Sequence, residues 1–152
     1  MFRFVVFCSL LSVVFADIVS QCRNNAGSLP ISTEVVGCSS SPCRLPQLED
    51  AVINIKFKAP RDSTSLRTLA TAYLGFIPIP YDLGANSNAC NGLGNAQCPV
   101  NVDQELDYAL RMYIEPFFPV GTTTTVEFRV VDDTNAAAFC VRMPIVIAAP
   151  RN

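Results

Sequence analysis

Ala51-Val52-Ile53-Asn54-Ile55-Lys56-Phe57-Lys58 decides the fold class. Ala51, Ile53, Ile55 and Phe57 fall on one side of an extended chain, with Asn54, Lys56 and Lys58 opposite. A period of two marks a strand with one face in a core and the other in water. The same period recurs downstream. In 107–114, Tyr108, Leu110, Met112 and Ile114 share a face, with Asp107 and Arg111 behind them. In 125–131, Val126, Phe128 and Val130 point inward, and Glu127 and Arg129 point out. In 139–147, Phe139, Val141, Met143, Ile145 and Ile147 are inward and Arg142 is outward. A less regular strand is expected over 64–76, with Leu69 on its inner face, and shorter ones over 17–22 and 32–36.

Turn chemistry separates these runs. Asp132-Asp133-Thr134-Asn135 reads as a hairpin tip. Pro116, Pro119 and Gly121 interrupt any strand after Ile114. Pro78 and Pro80 are expected to hold 75–82 extended but outside any ladder. No segment carries a long helical stripe, and no repeat is visible. About seven short strands without helices favour an all-β, two-sheet sandwich over a barrel.

The N-terminus reads as a removable leader. Arg3 precedes an apolar run from Phe4 to Phe15, and Val14-x-Ala16 suits cleavage. The run is too short to span a bilayer. Residues 1–16 are therefore expected to be a signal peptide, 17–152 one domain, and the product secreted and extracellular. Removing Arg3 shifts the formal net charge from −2 to −3. That balance, with no concentrated basic face, argues against a nucleic-acid partner.

Loss of Cys8 with the leader leaves Cys22, Cys38, Cys43, Cys90, Cys98 and Cys140. An oxidising route permits disulfides. The spacing suggests two local staples and one long clasp, one of many pairings that six cysteines allow. A zinc site is disfavoured, because there is no histidine and no C-x-x-C pair.

Catalytic constellations are missing. Without histidine there is no Ser-His-Asp or Cys-His arrangement, and oxidised cysteines leave no thiolate. Glu49-Asp50 and Asp132-Asp133 lie near turns and read as solvated surface rather than a glycosidase pair. Gly92-x-Gly94 lacks the strand and helix that a phosphate cradle needs. The chain is expected not to be an enzyme and to use no cofactor and no metal. Patterning alone favours a packed core over a ligand pocket.

Gly75-Phe76-Ile77-Pro78-Ile79-Pro80-Tyr81, Cys98-Pro99, Asp132-Asp133-x-Asn135, Phe139-Cys140 and the order of the cysteines shift that balance. Together they resemble the ML (MD-2-related lipid-recognition) domain family. Within it, they resemble the Niemann-Pick C type 2 sterol-transfer proteins of arthropods and the group 2 mite allergens. The likeness covers nearly all of 17–147. It implies an immunoglobulin-like β-sandwich with three disulfides, Cys22–Cys140, Cys38–Cys43 and Cys90–Cys98, and an internal hydrophobic cavity. Tyr81, Ile114 and Phe118 would frame the entrance. Ile53, Ile55, Phe57, Leu69, Leu110, Met112, Val126, Phe128, Val130, Val141, Met143 and Ile145 would supply the walls.

The function implied is a secreted monomer that binds or transports a sterol, a fatty acid or a similar lipophilic small molecule. The alternative is an innate-immune protein that recognises microbial lipid; relatives of that kind often carry a basic rim, and this chain has few basic residues. A third class is an adhesion module with a filled core. Transient membrane or receptor contact is expected at the mouth. The vertebrate sterol carriers place tryptophans where this chain has Phe128 and Val141, an exchange expected to enlarge or reshape the far end of the cavity.

Overall fold

The computed structural model describes residues 17–152. The expected leader lies outside them. The described residues form nine strands and two short 3-10 turns. The strands are β1 (Ser20–Gln21), β2 (Ser32–Val35), β3 (Cys43–Pro46), β4 (Asp50–Lys58), β5 (Leu66–Leu74), β6 (Ile77–Tyr81), β7 (Glu105–Tyr113), β8 (Thr123–Asp132) and β9 (Ala137–Ala148). One sheet runs β1-β9-β8-β5-β6, with β3 also on β9, and the other runs β2-β4-β7. The all-β, two-sheet architecture agrees with the alternation.

The long strands owe their registers to that alternation. Along β4, Ala51, Ile53, Ile55 and Phe57 are buried, and their partners on β7 are Met112, Leu110, Tyr108 and Leu106. Shifting the pairing by one residue would turn every one of these side chains into water. From the opposite sheet come Val126, Phe128 and Val130 on β8 and Val141, Met143 and Ile145 on β9, all buried. Phe57 and Phe139 close one end of the sandwich, with ring centroids 4.8 Å apart.

Two short strands depart from the expectations. β6 is a true ladder strand, antiparallel to β5, with Tyr73 opposite Pro78 and Thr71 opposite Pro80. Alternate residues aim their backbone groups to the same side. Pro78 and Pro80 therefore turn their donor-less nitrogens toward the open edge, while Ile77, Ile79 and Tyr81 bond to β5. β3 runs parallel to β9, pairing Cys43 with Ile145 and Leu45 with Ile147. It shares one edge of β9 with β1, and Pro144 falls in the gap between these two partners.

The three disulfides are Cys22–Cys140, Cys38–Cys43 and Cys90–Cys98. The first ties the N-terminal segment across the outside of β8 and β9. Gly27 lets that segment pass. Its φ is +141°, and a Cβ there would lie 2.7 Å from the Cys140 nitrogen. Gly27→Ala is expected to lower the unfolding free energy by about 2–3 kcal/mol, read by urea denaturation. A wild-type midpoint would show that the strap is free to move. Gly92 is explained the same way, since a Cβ there would meet the Tyr108 ring at 2.6 Å.

The acidic turns differ from a purely solvated surface. Asp133 is exposed and accepts from the Thr64 N–H and hydroxyl at 2.9 and 2.7 Å. Asp132 is buried. It accepts from the Thr134 N–H and hydroxyl and the Ala136 N–H, and Arg61 stands 3.0 Å away. Glu127 faces out of its sheet as expected, yet it is only 1% exposed, because residues 23–25 lie over it.

Candidate functional site

At the end opposite the Phe57–Phe139 pair, a cavity of about 190 Å³ opens between residues of both sheets. Each strand reaches it by continuing its inward face. β5 contributes Ala72 and Leu74, β6 Ile79 and Tyr81, and β7 Met112 followed by Ile114. Thr124 and Val126 come from β8, and Ile145 and Ile147 from β9. Phe118, Pro119 and Thr122 complete the lining from the loop between β7 and β8. No lining residue is charged. The Thr124 hydroxyl is already committed, donating to the Tyr73 carbonyl at 2.7 Å. The concavity over the outer face of the three-stranded sheet is different, lined by Glu34, Asn54, Lys56 and Asp107 among others.

The mouth is aromatic. Tyr81 and Phe118 rings meet at 5.8 Å, and Phe117 packs on Phe118 at 4.7 Å. The Tyr81 hydroxyl donates to the Tyr113 carbonyl at 3.0 Å, bridging the seam between β6 and β7. Partial burial, then the nearby Glu115 and Asp82 carboxylates, push this phenol above its ordinary pKa, so it stays a neutral donor. Buried Gln47 fixes the loop that carries Phe118. Its amide nitrogen donates to the Pro116 and Phe118 carbonyls at 3.1 and 2.6 Å.

Exposed apolar side chains stand on the β5–β6 tip and on the loop after β7, beside the Asp82 and Glu115 carboxylates near Tyr81. Phe76 is 101% exposed at the β5–β6 tip, with Ile77 beside it, and Phe117 is 70% exposed on the loop between β7 and β8. Neither 74–80 nor 116–121 contains a charged residue.

The residues expected at the site divide into three groups. Tyr81, Ile114, Phe118, Met112, Val126 and Ile145 all line the cavity. Ile53, Ile55, Phe57, Leu110, Phe128, Val130, Val141 and Met143 are buried in the packed part of the core and lie outside the lining. Val141 is thus packed in the core and is not part of this cavity's wall. Leu69 is a correction. It stands on the outer face, opposite Arg129, because the inward positions of β5 are Leu66, Thr68, Ala70 and Ala72. Thr68 disguised that parity. It is buried, and its hydroxyl pairs with that of Tyr108 at 2.6 Å. Burial pushes the Tyr108 phenol up to about 12 despite the Thr68 hydrogen bond. Correct parity would have identified Ala72 and Leu74, and treating β6 as a strand would have added Ile79.

A family model described as the ML domain matches residues 16–147. The chain belongs to the ML domain family. Curated relatives of this ML domain include the NPC intracellular cholesterol transporter 2 of Bos taurus, 24% identical over 112 residues. That match covers 74% of this chain and 72% of the bovine protein. The Sus scrofa protein of the same name is 23% identical over 127 residues, covering 84% and 82%. Among solved structures, a Niemann-Pick type C2 protein from the Japanese carpenter ant superposes with a TM-score of 0.73 at 19% identity. That superposition covers 86% of this chain and 99% of the ant protein. Chicken MD-1, solved in complex with lipid IVa, gives 0.51 at 11% identity and covers 83% and 85%. At these identities the structural likenesses speak for the ML fold alone.

Proposed function

We propose that this ML domain is a secreted, non-enzymatic carrier that holds a sterol, fatty acid or similar lipophilic molecule between its sheets. The observation that carries this reading is the uncharged cavity at the open end of the sandwich, closed by Tyr81 and Phe118. The family and the cholesterol transporters that the chain resembles support the class of ligand. Three disulfides support an oxidising, extracellular setting.

Binding is driven by apolar area leaving water, at about 25 cal/mol per Å². A ligand's polar head stays at the mouth, where water satisfies it, since the cavity lining carries no charged group. The exposed Phe76 and Phe117 support brief contact with a lipid surface during loading. Phe76→Ser is then expected to slow transfer to vesicles without changing affinity, and an unchanged transfer rate would remove that contact.

Phe118→Ala is expected to weaken displacement of a fluorescent lipid about tenfold, because a half-buried aromatic ring is worth about 1.5 kcal/mol. Near-ultraviolet circular dichroism should stay native. Unchanged affinity would place the entrance elsewhere. Ile114 is the poorer probe, since it is only 1% exposed and a charge there would test folding instead.

A further inference from the structure

The outer face of the larger sheet carries two arginines that no carboxylate neutralises. Arg67 on β5 stands opposite Val131, and Arg129 on β8 stands opposite Leu69, so the two are diagonal neighbours. Such neighbours lie about 7–8 Å apart, within reach of long side chains. Two like charges so placed repel each other unless an anion lies between them. Among the described residues neither guanidinium forms an ion pair, whereas Arg61, Arg142 and Arg151 meet carboxylates at 3.0, 2.9 and 2.9 Å. Arg67 makes one long contact, donating from Nη2 to Asn135 Oδ1 at 3.4 Å. Arg129 is half-buried, and its Nε is fully buried with no acceptor. The other buried side-chain atom without a hydrogen bond, Asp132 Oδ2, has Arg61 3.0 Å away. Arg129 Nε is therefore the one such atom among the described residues that nothing in the protein answers. A partly buried cation calls for a counter-charge.

Both arginines line one depression of about 470 Å³, together with Leu69, Thr71, Asp82 and Ser87. Thr71 offers a hydroxyl, while that of Ser87 is spent on the Gly84 carbonyl at 2.7 Å. Asp82 is the one opposing charge in the lining, and it accepts from the Gly84 N–H at 2.8 Å. We propose that this depression binds a phosphate-type oxyanion, held by Arg67 and Arg129 with the Thr71 hydroxyl. A guanidinium fork matches two oxygens of such an anion with two N–H donors. A free phosphate and a phospholipid headgroup present the same chemistry. The site lies on the outside of the sheet, apart from the lipid cavity, although Tyr81 borders both. It does not rest on the carrier reading.

The test follows the arginine Nε–H resonances of isotope-labelled residues 17–152 by NMR. Inorganic phosphate, titrated at an ionic strength held constant with chloride, is expected to shift those of Arg67 and Arg129 saturably. Arg67→Gln and Arg129→Gln are each expected to weaken binding about tenfold. Asp82→Asn is expected to strengthen it about threefold. Arg67 is exposed, so Arg67→Gln carries the test if Arg129→Gln fails to fold. Co-sedimentation with phosphatidylcholine vesicles, with and without phosphatidic acid, identifies the source of the anion. Retention that needs phosphatidic acid and falls about tenfold in Arg67→Gln assigns the headgroup. Saturable phosphate binding without such retention assigns the free anion. Shifts that chloride alone reproduces overturn the site. So does Arg67→Gln that behaves as wild type in both assays, or wild type that binds neither phosphate nor the acidic vesicles.

Discussion

Replacing Cys22 and Cys140 together by alanine lowers the unfolding free energy by about 4–5 kcal/mol. The bond spans 118 residues, and constraining so long a loop removes much of the unfolded chain's freedom. Apart from hydrogen bonds from Arg23 and Asn25 to Glu127, little else holds the N-terminal segment. β1 pairs only two residues with β9, and a single further backbone bond, from the Cys140 N–H to the Ser28 carbonyl, anchors the strap. Cys140 is fully buried, so alanine rather than serine is the clean replacement. Urea denaturation with the other two disulfides intact measures the loss. A change below about 1 kcal/mol would show that the unfolded chain is already restrained by other means.

The second large effect is expected at Glu127. Its carboxylate accepts from the Arg23 N–H at 3.0 Å, Asn25 Nδ2 at 2.6 Å, Tyr73 Oη at 3.3 Å and Arg142 Nη1 at 2.9 Å. Arg142 also lies over the Tyr73 ring, 5.4 Å from its centroid. Glu127→Ala leaves these donors without a partner. Arg142 keeps some access to water, so the cost is expected near the lower end for a broken buried pair, about 3 kcal/mol. The carboxylate and the sulfurs of Cys22 and Cys140 lie within 4.8 Å of one another and secure the same strap. The two losses should therefore fall short of adding.

The same group sets an acid limit. Burial raises the Glu127 pKa, but hydrogen bonds from the Arg23 N–H, Asn25 and Arg142 outweigh it and hold the carboxyl below its ordinary value. At Asp132, burial is outweighed by Thr134, Ala136 and Arg61. Both groups bind protons more readily once unfolded, so their stabilisation is complete above about pH 5. It is lost as the pH falls below about 4, through the folded values. The melting temperature should be flat from pH 7 to about 5 and then drop, with a shallower drop in Glu127→Gln. A melting temperature that rises on acidification would contradict this.

Much of the sandwich was legible because burial and strand period coincide. β4, β7 and β9 alternate along their inward faces, as does β8 as far as the irregularity at Val130/Val131, and their inward residues are the observed core. β3 was not legible. Four residues, Cys-Arg-Leu-Pro, are too few to show a period, and the strand exists because β9 offers an open edge. β6 was hidden by its prolines, which an edge position tolerates. Leu69 was misplaced because the polar Thr68 occupies an inward site, and only a partner on the other sheet, Tyr108, makes that acceptable. Glu127 reads locally as an outward strand residue, and its cover comes from residues more than a hundred positions earlier. At the cavity, the resemblance named Tyr81, Ile114 and Phe118, all of which line it. It could not tell which inward residues pack and which line space, since that depends on how far the sheets part.

A crystal of residues 17–152 with a fatty acid carrying bromine at its methyl end tests the central claim most directly. Anomalous scattering is expected to place the bromine between the sheets, among Ala72, Met112 and Val126, with the carboxyl group at the Tyr81–Phe118 mouth. A bromine on the outer surface, with the cavity walls meshed together, would contradict a carrier that shelters its ligand inside the sandwich.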